Sequence, residues 1–317
     1  MCENRKLISI VAPFFNEGDG IELFYQAIFP IFDLLPQLDF EVVCVDDGSC
    51  DDTLKKLIAL VDRDTRFRVV ELSRNFGKEA ALTAGIDTAR GDAVIPMDAD
   101  LQDPPELIPT LIYEWQQGAE VVLARRSDRS SDTFLKRKTA QMFYKFHSCI
   151  STIKLPENVG DFRLMDRIVV DALKQLPERQ RFMKGLFAWI GFKTTSVDYV
   201  RNLRTLGSTK FSGWKLWNFA IEGIASFSAL PLKLWTYIGI VGAFLTLLYA
   251  VFIILRTLMH GVDIPGYASL LVAILFFGSL QLISIGLLGE YMGRIYMETK
   301  QRPIYLVRKH YEVHDES

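Results

Sequence analysis

Ala93-Val94-Ile95-Pro96-Met97-Asp98-Ala99-Asp100-Leu101-Gln102-Asp103 is an apolar run that ends abruptly on carboxylates. Its first half reads as a buried strand and its second half as the turn that leaves the strand. Outward from this stretch, strand-like segments at 7–12, 41–45, 68–72, 93–97 and 120–123 alternate with helical patterns near 21–35, 52–61, 79–89 and 105–116. That alternation predicts an α/β fold, an open and mostly parallel sheet covered by helices on both faces. Ligands of such sheets bind beyond the carboxyl ends of the strands. Four clusters fall there: 13–17, 46–49, 98–103 and Arg125-Arg126.

The totals narrow the class. The chain has 317 residues, 50% apolar and 23% charged, with a formal net charge of -2. A length of this order suits about two domains. The apolar content excludes a disordered chain. No basic excess is present to displace counterions from a duplex, so a nucleic-acid partner is not expected. Cys2, Cys44, Cys50 and Cys149 match no zinc spacing and read as reduced thiols. The histidines His147, His260, His310 and His314 form no ligand set. Leu7 to Phe15 is apolar but too short for a signal peptide, and Asn16-Glu17 ends it.

Hydrophobicity is concentrated after residue 230. The runs 234–255 and 267–288 each hold 22 residues without a formal charge. As helices they measure about 33 Å, against a hydrocarbon core of ~30 Å, so the expectation is a two-helix transmembrane hairpin. The connector 256–266 carries one Arg, Arg256, and no Lys, whereas Lys215 and Lys233 precede the hairpin and Arg294, Lys300, Arg302, Arg308 and Lys309 follow it. The positive-inside rule then puts both termini and the large N-terminal region in the cytoplasm. Within 213–230, Trp214, Trp217, Ile221 and Ile224 share one helical face, which suggests a helix lying in the headgroup layer. The expected domains are 1–212 catalytic, 213–230 interfacial, 234–255 and 267–288 spanning, and 289–317 a cytoplasmic tail.

The chemistry starts at Asp98 and Asp100. Two carboxylates two residues apart at a strand end can approach one hard cation, Mg2+ or Mn2+, which completes its shell with water and phosphate. A lone D-x-D also occurs in turns that only solvate a loop, and Asp103 before Pro104-Pro105 reads equally as a helix cap. Val45-Asp46-Asp47-Gly48-Ser49 is either a turn or a nucleotide-facing carboxylate. The chain has no G-x-G-x-x-G after its first strand and no G-x-x-x-x-G-K-[ST], so a dinucleotide fold and a P-loop are disfavoured.

These residues resemble a family. Pro13-Phe14-Phe15-Asn16-Glu17, Val45 to Ser49, Arg74-Asn75-Phe76-Gly77-Lys78 and Met97 to Gln102 are similar to glycosyltransferase family two with its GT-A domain. Gly160-Asp161-Phe162-Arg163-Leu164, Arg204 with Gly207-Ser208-Thr209-Lys210, and Gly289 to Arg294 resemble the polyprenyl-phosphate branch, which includes bactoprenol glucosyltransferases and is similar to dolichyl-phosphate mannose synthases. The resemblance implies a nucleotide-sugar donor and a polyprenyl phosphate acceptor. Its positions assign Pro13, Phe15, Glu17, Val45 and Asp47 to base and ribose. Asp98, Ala99, Asp100 and Gln102 fall to metal and diphosphate, with Asp100 the direct ligand, and Arg126, Arg204 and Lys210 to phosphates. Asp161 serves as general base, as a device that places the acceptor, or as a structural partner of Arg163. The segment 178–185 resembles the acceptor-side region, and Lys136-Arg137-Lys138 reads as a headgroup contact or a solvated face. The implied reaction is an inverting, metal-dependent transfer of one sugar, glucose from UDP-glucose first, to undecaprenyl phosphate, for envelope glycan modification at the inner membrane. Relatives of this kind suggest a homo-oligomer. A processive synthase would show Q-x-x-R-W and more spans. Another donor, such as GDP-mannose, UDP-N-acetylglucosamine or an aminoarabinose nucleotide, leaves the fold unchanged, and a scaffold would lack the complete motif set.

Overall fold

A computed structural model describes residues 5–127, 158–179, 181, 183–200, 230–260 and 266–312. Eight strands form one sheet: β1 (Leu7–Phe14), β2 (Asp39–Asp46), β3 (Phe67–Leu72), β4 (Ala93–Pro96), β5 (Val121–Arg126), β6 (Val159–Asp166), β7 (Thr194–Tyr199) and β8 (Val307–Tyr311). Their spatial order is β7-β5-β6-β4-β1-β2-β3-β8. The pairs β1–β2, β1–β4, β2–β3 and β5–β7 are parallel. The pairs β4–β6, β5–β6 and β3–β8 are antiparallel. The sheet is therefore mixed, and β6 is the wedge that the alternation pattern did not foresee.

The helices are α1 (Ile21–Leu34), α2 (Thr53–Arg63), α3 (Lys78–Thr88), α4 (Ile108–Gln116), α5 (Arg167–Lys174), α6 (Met183–Ile190), α7 (Leu230–His260) and α8 (Tyr267–Thr299). On one face of the sheet, α1, α2 and α4 cover Ile8, Ile10, Ala12, Val42 and Cys44. On the other, α3, α5 and α6 cover Val11, Val43, Val45 and Val94. Both faces of β1 and β2 are thus buried, which is why these strands read as mostly apolar runs, interrupted by Ser9 and Glu41, instead of alternating ones. Phe24 and Ile28 of α1 are fully buried, each worth about 1.5–3 kcal/mol relative to exposure. Helix α3 approaches the sheet closely at Gly85, where a Cβ would stand 2.3 Å from Val11 Cγ1.

Two long helices occupy the two apolar runs, but among the described residues no helix is long and apolar enough to cross a membrane. The expected transmembrane hairpin is corrected accordingly. So is the expected localisation as a two-span inner-membrane protein with both termini cytoplasmic, which rested on it. The helices do not stop where the uncharged runs stop. Helix α7 takes in Arg256, and α8 takes in Glu290, Arg294 and Glu298, so charge lies within the helices and not only at their flanks. The interfacial helix expected at 213–230 lies outside the described residues.

The expected tail is also more than a tail. After α8 the chain returns to the far edge of the sheet as β8, pairing Val69 with Tyr311 and Val70 with His310. Tyr311 Oη donates to Glu71 at 2.9 Å, and Glu312 accepts from Arg68 Nε at 2.8 Å. Arg68 also pairs with buried Glu41 at 2.9 Å, and Glu41 accepts from the Ser9 hydroxyl. The C-terminal segment is therefore wired into the centre of the sheet.

Candidate active site

The loops that leave β1 and β2 are tied together by their own polar atoms. The Asp47 N–H donates to the Phe14 carbonyl at 2.9 Å. Asn16, at φ 53, donates its N–H to Ser49 Oγ at 3.0 Å and accepts the Cys50 N–H at 2.9 Å. The Glu17 N–H donates to Thr53 Oγ1 at 3.0 Å. Asp47, expected at the nucleotide, is buried and spends both oxygens inside the protein, on the N–H groups of Phe76 at 2.7 Å and Gly77 at 2.9 Å. Burial raises its pKa, and those two N–H bonds and Arg74 offset the rise only in part. Gly48 completes the clasp at φ +66, where a Cβ would meet the Arg74 carbonyl carbon at 2.4 Å. Phe15 is exposed at the rim, whereas the side chain of Val45 lies in the core under α3.

The clasp sets the start of α3, and with it Lys78. The Lys78 ammonium sits 2.7 Å from Asp98 Oδ1 and 2.9 Å from Asp161 Oδ2, joining the turn after β4 to strand β6. Asp161 is not a partner of the Arg163 guanidinium through its carboxylate. Arg163 donates instead to the carbonyls of Gly160 at 2.7 Å and Asp161 at 3.4 Å, and stacks 4.0 Å from the Phe187 ring. Burial pulls Arg163 down to about 10. Burial would also raise Asp161, but Lys78, Lys184 and Arg163 outweigh it and hold the group below the usual carboxylate range. Asp98 goes the other way: burial and nearby Asp161 raise it against the pull of Lys78. Asp161 Oδ1 is buried without a hydrogen-bond partner among the described residues.

Glu79, the next residue, shares this corner. It accepts a hydrogen bond from the Met183 backbone, and burial beside Asp161 pushes it up to about 7. The sequence assigned neither Lys78 nor Glu79 a role of its own. The available signal was a Lys-Glu pair opening a helix directly after Gly77.

The acidic turn continues through Leu101 at φ 52, and Asp100 Oδ1 accepts the Gln102 N–H at 3.2 Å. Ala99 and Gln102 are buried beside it. Asp103 is not a helix cap, since the turn Pro105–Leu107 follows Pro104 without a side-chain cap. Asp103 instead accepts the Tyr199 hydroxyl and lies 3.6 Å from Arg126 Nη2. Arg126 Nε donates to Tyr199 Oη at 3.1 Å, so a three-membered lock fixes the guanidinium. Burial and Asp103 push Tyr199 up to about 12. Tyr199 comes from β7, whose polar alternation gave no reason to single it out. Arg204 and Lys210, together with Lys136 to Lys138, lie outside the described residues.

Among the described residues, no three histidine, cysteine, aspartate or glutamate side chains gather into a metal cage. Hard oxygens on Asp98 and Asp100 nevertheless fit a cation that keeps its waters and takes the rest of its shell from phosphate. Asp98 already carries Lys78 at 2.7 Å.

The model of glycosyl transferase family 2 matches residues 9–174, from β1 through α5. The chain belongs to glycosyl transferase family 2. This family 2 transferase is 56% identical to an uncharacterized glycosyltransferase of Synechocystis, over 95% of its own length and 94% of the relative's. It is 54% identical to a prophage bactoprenol glucosyl transferase homolog of Escherichia coli, over 95% and 98%. A prophage-derived bactoprenol glucosyl transferase of Shigella flexneri is 55% identical, over 95% and 97%. Among solved structures, a glucosyl-3-phosphoglycerate synthase of Mycobacterium tuberculosis in complex with Mn2+, UDP and phosphoglyceric acid matches at 22% identity and a TM-score of 0.48, covering 69% of this chain and 76% of that one.

Proposed function

We propose that this transferase moves one glucosyl residue from UDP-glucose to the phosphate of a polyprenyl phosphate, with inversion at the anomeric carbon. The observation that carries the reading is the meeting of the Asp98–Asp100 turn and Asp161 across Lys78. Near end-to-end identity to relatives named bactoprenol glucosyl transferases supports the acceptor and the sugar. The mixed sheet order is in keeping with the nucleotide-sugar fold of the family.

An acceptor phosphate oxygen forms the new bond to the anomeric carbon, while the bond from that carbon to the diphosphate breaks. A lipid phosphate is already an anion, so no proton has to be removed from it. Asp161, kept ionised by Lys78 and Lys184, therefore serves to place the acceptor rather than to deprotonate it. Arg126, immobilised by Tyr199 and Asp103, presents fixed positive charge to the donor phosphates. Charge that is already oriented stabilises a departing diphosphate without reorganisation at the moment of reaction. Mg2+ or Mn2+ held by Asp100, with Asp98 beside it, would neutralise the leaving group.

The test is incubation of the purified chain with polyprenyl phosphate, Mg2+ or Mn2+, and UDP-glucose, GDP-mannose or UDP-N-acetylglucosamine in turn, with mass spectrometry of the lipid fraction. A single hexose added from UDP-glucose is the expected product. Polymer, or transfer from another donor alone, would replace the reading. Asp100→Ala should abolish transfer with the fold intact, and full activity would remove the metal role.

A further inference from the structure

The acidic corner contains a positive charge that the family-level reading does not use. Lys78 is the first residue of α3, and its backbone is held by the neighbouring Gly77 N–H, which donates to Asp47 at 2.9 Å. Its side chain is half-exposed and spans from Asp98 at 2.7 Å to Asp161 at 2.9 Å. Asp161 also feels Lys184 and Arg163, whereas Lys78 is the cation that contacts Asp98 among the described ion pairs. One ammonium thus stands where the donor-side turn and the acceptor-side carboxylate come together.

We propose that Lys78 is a positioning residue. It acts as a shared counter-ion that occupies Asp98 until a donor diphosphate arrives with its cation, and then pairs with Asp161 alone, so that donor loading sets the acceptor-side carboxylate. The proposal rests on the glycosyl-transfer reading of this site. Two observations carry it. Asp98 is already neutralised by a contact ammonium, and the described residues gather no set of three metal-ligating side chains. The described residues therefore offer a bare divalent cation little, and phosphate oxygens are the ligands that would complete its shell. The fixed backbone and flexible stem of Lys78 allow the change of partner without movement of α3.

The experiment measures Mn2+ binding to the full chain from the electron paramagnetic resonance signal of free Mn2+, with and without UDP, for wild type, Lys78→Met and Lys78→Arg. Wild type should bind Mn2+ weakly alone and far more tightly with UDP. Lys78→Met should bind bare Mn2+ about tenfold tighter than wild type, because a contact cation no longer opposes it. Lys78→Arg, which keeps the charge, should stay near wild type. In transfer assays Lys78→Met should lose kcat more than it raises the KM for donor. If Lys78→Met binds bare Mn2+ no tighter than wild type while both take it up with UDP, the counter-ion role is overturned and the donor site stands. If wild type takes up no Mn2+ even with UDP, the donor-site reading fails and the proposal with it. Should Lys78→Met not fold, as judged by its melting curve, Lys78→Gln is read by the same criteria.

Discussion

Glu79→Gln isolates the electrostatic tension of the site. Glu79 faces Asp161, Lys78 and Lys184, and burial followed by the Asp161 charge pushes it from an ordinary 4.5 up to about 7. At 1.36 kcal/mol per pKa unit, keeping this carboxylate ionised costs the folded protein about 3 kcal/mol. The folded form keeps a proton that the unfolded chain releases between pH 4.5 and 7. Stability therefore falls as pH climbs through that window, and the full cost is in place above 7. Glutamine cannot ionise, still accepts from the Met183 N–H, and offers its amide hydrogens towards Asp161. Glu79→Gln should match wild type near pH 4.5 and gain up to about 3 kcal/mol at pH 8, or roughly 6–12 °C in Tm for a domain of this size. Paired thermal melts at pH 5 and pH 8, at one ionic strength, give the answer. An equal Tm difference at both pH values, or a loss at pH 8, would refute the reasoning.

Two further substitutions probe the scaffold of the site. Tyr199→Phe removes the hydroxyl that Asp103 and Arg126 share, and should cost about 1–3 kcal/mol by thermal melt while raising the KM for donor as Arg126 loses its anchor. Gly48→Ala forces a side chain into φ +66 and against the Arg74 backbone at 2.4 Å. It should cost more than about 2 kcal/mol, and hydrogen exchange at the Phe76 and Gly77 amides should quicken because their bonds to Asp47 are loosened.

The sequence made the first half of the sheet legible because its strands are buried on both faces and its helices follow at regular intervals. The expected 7–12 and 41–45 became Leu7–Phe14 and Asp39–Asp46. Strand β6 escaped because Gly160-Asp161-Phe162-Arg163 reads as a chemical motif, with charged residues inside a strand whose pairing is antiparallel. Strand β8 escaped because four of its five residues are exposed, and an exposed edge leaves no hydrophobic period to read. At the site, the D-x-D turn was visible as residue types at a strand end. Which group neutralises which was not, since Lys78 meets Asp161 across 83 positions of chain. The same limit applies to Asp47, whose acceptance of the Phe76 and Gly77 N–H groups joins positions about thirty residues apart. The apolar runs correctly marked two long helices, but an uncharged run says nothing of where a helix ends.

Strand β8 also decides how the molecule tolerates shortening. It is short and carries Arg308 and Lys309, features that discourage further pairing at a sheet margin. The strand it shields, β3, is buried along its whole length and has Val69, Val70 and Leu72 among its six residues. A chain clipped after Thr299 would bare that apolar margin with its hydrogen-bonding groups unspent, a template on which a second molecule can stack. Proteolytic trimming at this end should thus surface as aggregation.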